Sequence, residues 1–152
     1  MNESQDVVVF NSLIDPKYQV AVMYPEYEKY EEAKHLLSME KESIAGLIVG
    51  KNLIIVDGKA LEGLSEDQFI AVQAHEICHG VLEHSPGNSM DSEIEAEVSA
   101  IDLLTKLGKP KSAKILIDRI KEERGIVYKQ EILCECLSKK SLDLYKKYLK
   151  TR

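Results

Sequence analysis

Ser65-Glu66-Asp67-Gln68 is the stretch that most narrows what this chain can fold into. A Ser hydroxyl at a helix start accepts from the backbone N–H three residues on. A Gln at that third position reaches back to the Ser N–H, and the two bonds together open a helix. Behind them Ile70, Ala74, Ile77 and Val81 recur at the spacing of one helical face. The pattern predicts a helix over residues 66–83 with a single apolar stripe. Such a stripe has to be covered by other elements, so the rest of the chain must supply a second layer.

The flanking segments read as that layer. Residues 7–10 and 18–23 are rich in strand formers and are separated by an Asp15-Pro16 turn. Pro25 opens a charged, Tyr-rich helix over residues 26–39. Residues 44–49 and 53–56 are β-rich runs joined by Gly50-Lys51-Asn52, a hairpin signal. Ser85-Pro86-Gly87-Asn88 reads as a loop. Ser92 with Glu95 three residues on then marks a second helix start, and that helix stops at Gly108-Lys109-Pro110. Further amphipathic helices are expected over residues 112–124, 128–137 and 142–149. With no repeat or linker, residues 1–152 are expected to form one α+β domain, a small antiparallel sheet packed on helices.

Several function classes fall away on composition. A formal charge of −6 argues against a nucleic-acid partner or an anionic membrane surface. Three cysteines, Cys78, Cys134 and Cys136, are an odd number without disulfide spacing, which points to a reducing compartment. Cys134-x-Cys136 has no second Cys/His pair at zinc-finger spacing. The first residues lack the basic and apolar regions of a signal peptide. Apolar runs fall far short of the roughly 20 residues that span a bilayer. A soluble, cytoplasmic protein is the expectation.

Inside the predicted helix lies His75-Glu76-Ile77-Cys78-His79. Residues four apart on a helix are about 40° apart around the axis and about 6 Å along it. His75 and His79 can therefore offer imidazoles to one ion, and neutral imidazole suits zinc. Glu76 stands about 100° round from His75, placed to take a proton from a metal-activated water. Chance places this pattern in roughly one shuffled chain in eighty. The capped helix, and a ligand face distinct from the apolar stripe, favour the metal reading over two solvated surface histidines.

A catalytic zinc also needs a third protein ligand. His84 lies five residues past His79, off the ligand face, and reads as a rim or surface residue. Leu82 and Ser85 stand where a metzincin would have Gly and His, which excludes that class. Glu93 and Glu97 are one turn apart on the next helix, beside Ala96 and Ala100, small residues that permit close helix approach. Glu93 is the favoured ligand, Glu97 the alternative, and Glu95 the least favoured of the three.

Residues 64–79 resemble the active-site helix of HtpX-like and CAAX-prenyl-protease-like zinc metallopeptidases, which typically read Leu-Ser-x-x-Glu-Leu-x-Ala-Val-Leu-Ala-His-Glu-x-x-His. Upstream, residues 52–61 resemble that family's strand leading into a Gly-Leu-Leu turn. Downstream, Glu93-Ile94-Glu95-Ala96-Glu97, with Ala100, Leu103, Leu104 and Gly108, resembles its Glu-x-x-Ala-Asp helix. The likeness spans about residues 44–120. It implies a gluzincin, a zincin fold with the His-Glu-x-x-His helix central. Zn2+ would be held by His75, His79 and Glu93, with Glu76 as general base.

Glu97 takes the place of an Asp that supports a ligand histidine, and its longer side chain could instead reach the metal. Ser43 and the run Ile44, Ala45, Gly46 and Leu47 resemble the family's edge strand, where an extended peptide substrate pairs. The family's Asn-Ala in that strand, its membrane helices and its later His-Pro segment have no counterpart here. The oxyanion-stabilising residue is therefore unassigned, with Tyr128, Tyr145 and His84 as candidates. ImmA/IrrE-like peptidases, which are intracellular and act on transcriptional repressors, share His-Glu-x-x-His and Glu-x-Glu-Ala; the Leu-Ser and Ala-Val positions favour the first family. A zinc-dependent endopeptidase acting on a peptide or protein is the leading expectation. The alternatives are a non-catalytic zinc-binding interaction module and a repressor-cleaving protease, though no DNA-binding helix pair is evident.

Overall fold

A computed structural model describes residues 6–38, 44–48, 50–85 and 89–152. The chain begins with strands β1 (Val7–Asn11) and β2 (Gln19–Met23), then helix α1 (Tyr30–Ser38), then β3 (Ala45–Ile48) and β4 (Leu53–Asp57). Helices follow: α2 (Gly58–Leu61), α3 (Glu66–Val81), α4 (Met90–Lys106), α5 (Pro110–Arg124), α6 (Ile132–Cys136) and α7 (Lys139–Thr151). The fold is α+β, as expected. No described helix is long and apolar enough to cross a membrane.

The sheet runs β1-β2-β4-β3, which places β3 at one edge. It is mixed, not antiparallel throughout. The pairs β1–β2 and β3–β4 are antiparallel, whereas β2 and β4 pair in parallel, Val20 opposite Ile54 and Val22 opposite Val56. The chain crosses from β2 through α1 to the edge strand, and the hairpin then brings β4 back beside β2. Composition does not settle this direction for β2, because the same strand pairs antiparallel on one side and parallel on the other. The hairpin itself forms where expected, with Gly50 and Asn52 at positive φ (83° and 49°).

Helix α3 is central and packs against β3, β4, α4, α5 and α7. Val20, Val22, Ile54 and Val56 from the sheet join Ile70, Ala74 and Ile77 from α3 in the core, all at most 4% exposed. Val81, the last of the predicted stripe, is only partly buried. Gly80 brings β3 close to the end of α3: a Cβ there would stand 2.8 Å from Leu47 Cδ2 and 3.0 Å from Tyr18 Oη. Edge strand and motif helix are thus in direct contact.

Helix ends differ from expectation where local hydrogen bonds compete. Helix α3 stops at Val81, because Leu82 caps it and Glu83 turns to a φ of 56°. The cap of α4 is Ser89, not Ser92; each serine's backbone N–H donates to the other's hydroxyl at 3.1 Å, so Ser92 plays the part of the third residue. Helix α1 begins at Tyr30, because the preceding residues form turns in which Tyr27 N and Tyr30 N donate to Tyr24 O and Tyr27 O. Helix α6 shrinks to Ile132–Cys136, while α7 starts early because Ser138 caps it. Cys136 is half-buried and Cys134 is exposed. Expectations for Ser43, for Met39 and Val49 at element ends, for the Pro86-Gly87-Asn88 loop and for the N-terminal five residues lie outside the described residues.

Candidate metal centre

The reciprocal cap expected at Ser65 is present: Gln68 N donates to Ser65 Oγ at 3.1 Å and Ser65 N donates to Gln68 Oε1 at 2.8 Å. From that start α3 runs unbroken to His75, Glu76 and His79, which are 8%, 8% and 6% exposed. Helix α4 packs beside it and brings Glu93 to the histidines, and its Ala96 and Ala100 are fully buried.

One ligand atom each from His75, His79 and Glu93 fall within 4.8 Å of one another. The two Nε2 atoms are 3.1 Å apart. Glu93 Oε1 lies 3.3 Å from His75 Nε2, and Glu93 Oε2 lies 2.8 Å from His79 Nε2. Donors about 2.1 Å from one tetrahedral ion stand about 3.4 Å from each other, close to these separations. Glu93 Oε2 is buried and makes no hydrogen bond among the described residues. His79 Nε2 and Glu93 Oε2 lie within hydrogen-bond distance of each other, and together with His75 they could instead hold a cation. The donor set of two imidazoles and one carboxylate suits zinc.

Glu97 belongs to a different shell. Its Oε1 accepts from His75 Nδ1 at 2.8 Å, on the ring edge away from the Nε2 cluster. Arg119 on α5 donates to both Glu97 oxygens, from Nε at 2.7 Å and from the second guanidinium nitrogen at 2.6 Å. Glu97 thus backs His75 from the far side of its ring, while Glu93 is the carboxylate that could join the two histidines on an ion. Desolvation raises the Glu97 pKa, but Arg119 and His75 outweigh it and hold the group at about 2. Glu93 is likewise raised by burial, yet the two histidines leave it well below the carboxylate range. For His75, burial lowers the pKa, and Glu93 and Glu97 overcome this, pushing it up to about 10. His79, dominated by burial, is lowered.

His84 is not a surface residue. Its side chain is 9% exposed and lies against the site: Nδ1 is 2.9 Å from His79 Nδ1, and Nε2 is 2.8 Å from Glu95 Oε1. The backbone reversal at Glu83 folds it there, with His84 N donating to His79 O at 3.0 Å. Nothing in the sequence spacing announces that turn. Arg119 was equally invisible, since only packing of α5 on α4 brings residues 22 apart into contact.

The tyrosine candidates for oxyanion stabilisation lie elsewhere. Tyr145 Oη donates to Asp102 Oδ2 at 2.5 Å, and Asp102 also raises the Tyr128 pKa, behind the larger effect of burial. Asp102 is about 13 Å along α4 from Glu93 at 1.5 Å per residue. Both ring nitrogens of His84 are already engaged. Comparison with protein-family models, with curated proteins and with solved structures returns no match.

Proposed function

We propose that the chain is a zinc-dependent endopeptidase of the gluzincin type, with His75, His79 and Glu93 as ligands and Glu76 as general base. The convergence of those three ligand groups beside a buried Glu76 carries the reading. Zinc held there would acidify a water and polarise a peptide carbonyl. Glu76 follows His75 directly on α3, and its role is to accept the water's proton and pass it to the leaving amine. Strand β3, at the sheet edge and against Gly80 of α3, would receive an extended peptide along Ile44, Ala45, Gly46 and Leu47. The resemblance to HtpX-like and CAAX-prenyl-protease-like peptidases supports this assignment, with ImmA/IrrE-like enzymes second. Three free cysteines suit a reducing compartment, and the cytoplasm is the proposed location.

Glu76→Gln should retain full zinc content and lower the rate of hydrolysis of an unstructured protein by at least about 100-fold. Undiminished hydrolysis by that variant would overturn the mechanism. A second reading, a zinc-binding interaction module without turnover, is favoured by one observation: Tyr145 and His84 are both hydrogen-bonded to other partners. Full zinc occupancy with no cleavage of a broad peptide library would select it.

A further inference from the structure

His79 and His75 are backed differently. His75 leans directly on a carboxylate, Glu97, itself clamped by Arg119. His79 leans on a second imidazole. His84 Nδ1 is 2.9 Å from His79 Nδ1, and the far nitrogen of His84 meets Glu95 Oε1 at 2.8 Å. Glu95 is in turn fixed by the start of α7: Ser138 N donates to Oε2 and Ser141 Oγ to Oε1, each at 2.8 Å. With a backbone N–H and a hydroxyl already donating to it, the Glu95 carboxylate faces His84 as an acceptor.

The protons are then assigned by elimination. His84 Nε2–H donates to Glu95, and the tautomer that makes this bond carries its lone pair on Nδ1. That lone pair accepts from His79 Nδ1–H, which leaves His79 Nε2 bare toward Glu93 and His75 Nε2. We infer that His84 and Glu95 are a positioning dyad for the metal centre, setting the tautomer and ring orientation of His79 and tying both to the first turn of α7. The inference rests on the metal reading above, and it concerns the protein's affinity for the ion rather than the chemistry performed there. Outer partners of a ligand histidine are worth roughly 10–100-fold in metal affinity.

Zinc affinity of the full chain, measured by competition with a chromophoric chelator, tests this for wild type, His84→Phe, Glu95→Gln and His75→Ala. Urea unfolding of each zinc-stripped protein runs alongside, and the visible spectrum of each cobalt(II)-loaded protein reports ligand geometry. His84→Phe should bind zinc roughly 10–100-fold more weakly than wild type and shift the cobalt spectrum, with Glu95→Gln smaller in the same direction. Wild-type affinity and spectrum in both variants, with any loss confined to urea stability, would overturn the dyad and leave the metal centre standing. Equal, weak binding by wild type and His75→Ala would overturn the metal centre, and the dyad with it. Should His84→Phe fail to fold, Glu95→Gln decides alone, because it preserves the side-chain shape.

Discussion

His75 sits between two carboxylates, Glu93 at its Nε2 and Glu97 at its Nδ1. Without a metal they keep it protonated at neutral pH, so zinc has to displace a proton to bind. Calorimetry at pH 7 in buffers of different ionisation enthalpy should therefore show about one proton released per zinc. The same groups shape the stability of the zinc-stripped protein. The folded value of His75, about 10, stands above the ordinary 6.5, so its contribution is complete below 6.5 and lost as pH rises through about 10. Glu97 has the opposite sign: held at about 2, below the ordinary 4.5, it contributes above 4.5 and loses that as pH falls through about 2. His79, lowered by burial, is disfavoured as pH falls below 6.5, so stability from urea unfolding should peak near 6.5 and decline on both sides. The distinction between ligand and support is testable too. Glu93→Ala should leave little zinc after dialysis, whereas Glu97→Ala should retain the site with affinity roughly 10–100-fold weaker.

At the scale of elements, α3 carries the motif and α4 the third ligand, and each begins at a reciprocal serine cap. These caps satisfy N–H groups that have no partner within the helix. Ser65→Ala removes the acceptor for Gln68 N and should cost about 1 kcal/mol in urea unfolding. Zinc affinity should be unchanged, because the cap lies more than two helical turns from His75. The ends of α3 and α4 that face each other, Val81 and Met90, flank the reversal that returns His84 to the site. A short backbone device thus converts a residue outside the helix into a neighbour of the ligand.

Across the whole molecule, the last helix ties distant parts together. Helix α7 reaches Glu95 through Ser138 and Ser141, Asp102 through Tyr145, and Asp15 through Tyr148 at 2.6 Å. Arg152 donates to Ile14 O, so the chain's end is fastened to the β1–β2 loop. Asp102 is 3% exposed and accepts from Tyr145 Oη and, at both oxygens, from Lys106 Nζ, each of the latter at 2.7 Å. Tyr145→Phe removes one of those partners and should cost about 1.5–3 kcal/mol in urea unfolding, the range for a bond to a charged group. Zinc affinity should stay at the wild-type level, since Asp102 is remote from the ligands along α4.

Local features were legible in the residues alone: the capped helix, the two histidines and Glu76 on it, and the hairpin at Gly50-Lys51-Asn52. Each depends on spacing along one element, where geometry follows directly from 3.6 residues per turn or from a two-strand turn. Strand direction, the partners of the ligand histidines and the place of His84 were not legible. The parallel β2–β4 pair joins strands 34 residues apart by register, Gln19 opposite Leu53. Arg119–Glu97 and Glu95–Ser141 join residues 22 and 46 apart. Such contacts are set by how helices and sheet pack around a common core, and no single-element period encodes them. By itself, then, the sequence determined the candidate donor groups and their order on α3 and α4. Only tertiary packing decided which carboxylate faces the histidines' Nε2 atoms and which residues hold those histidines in place.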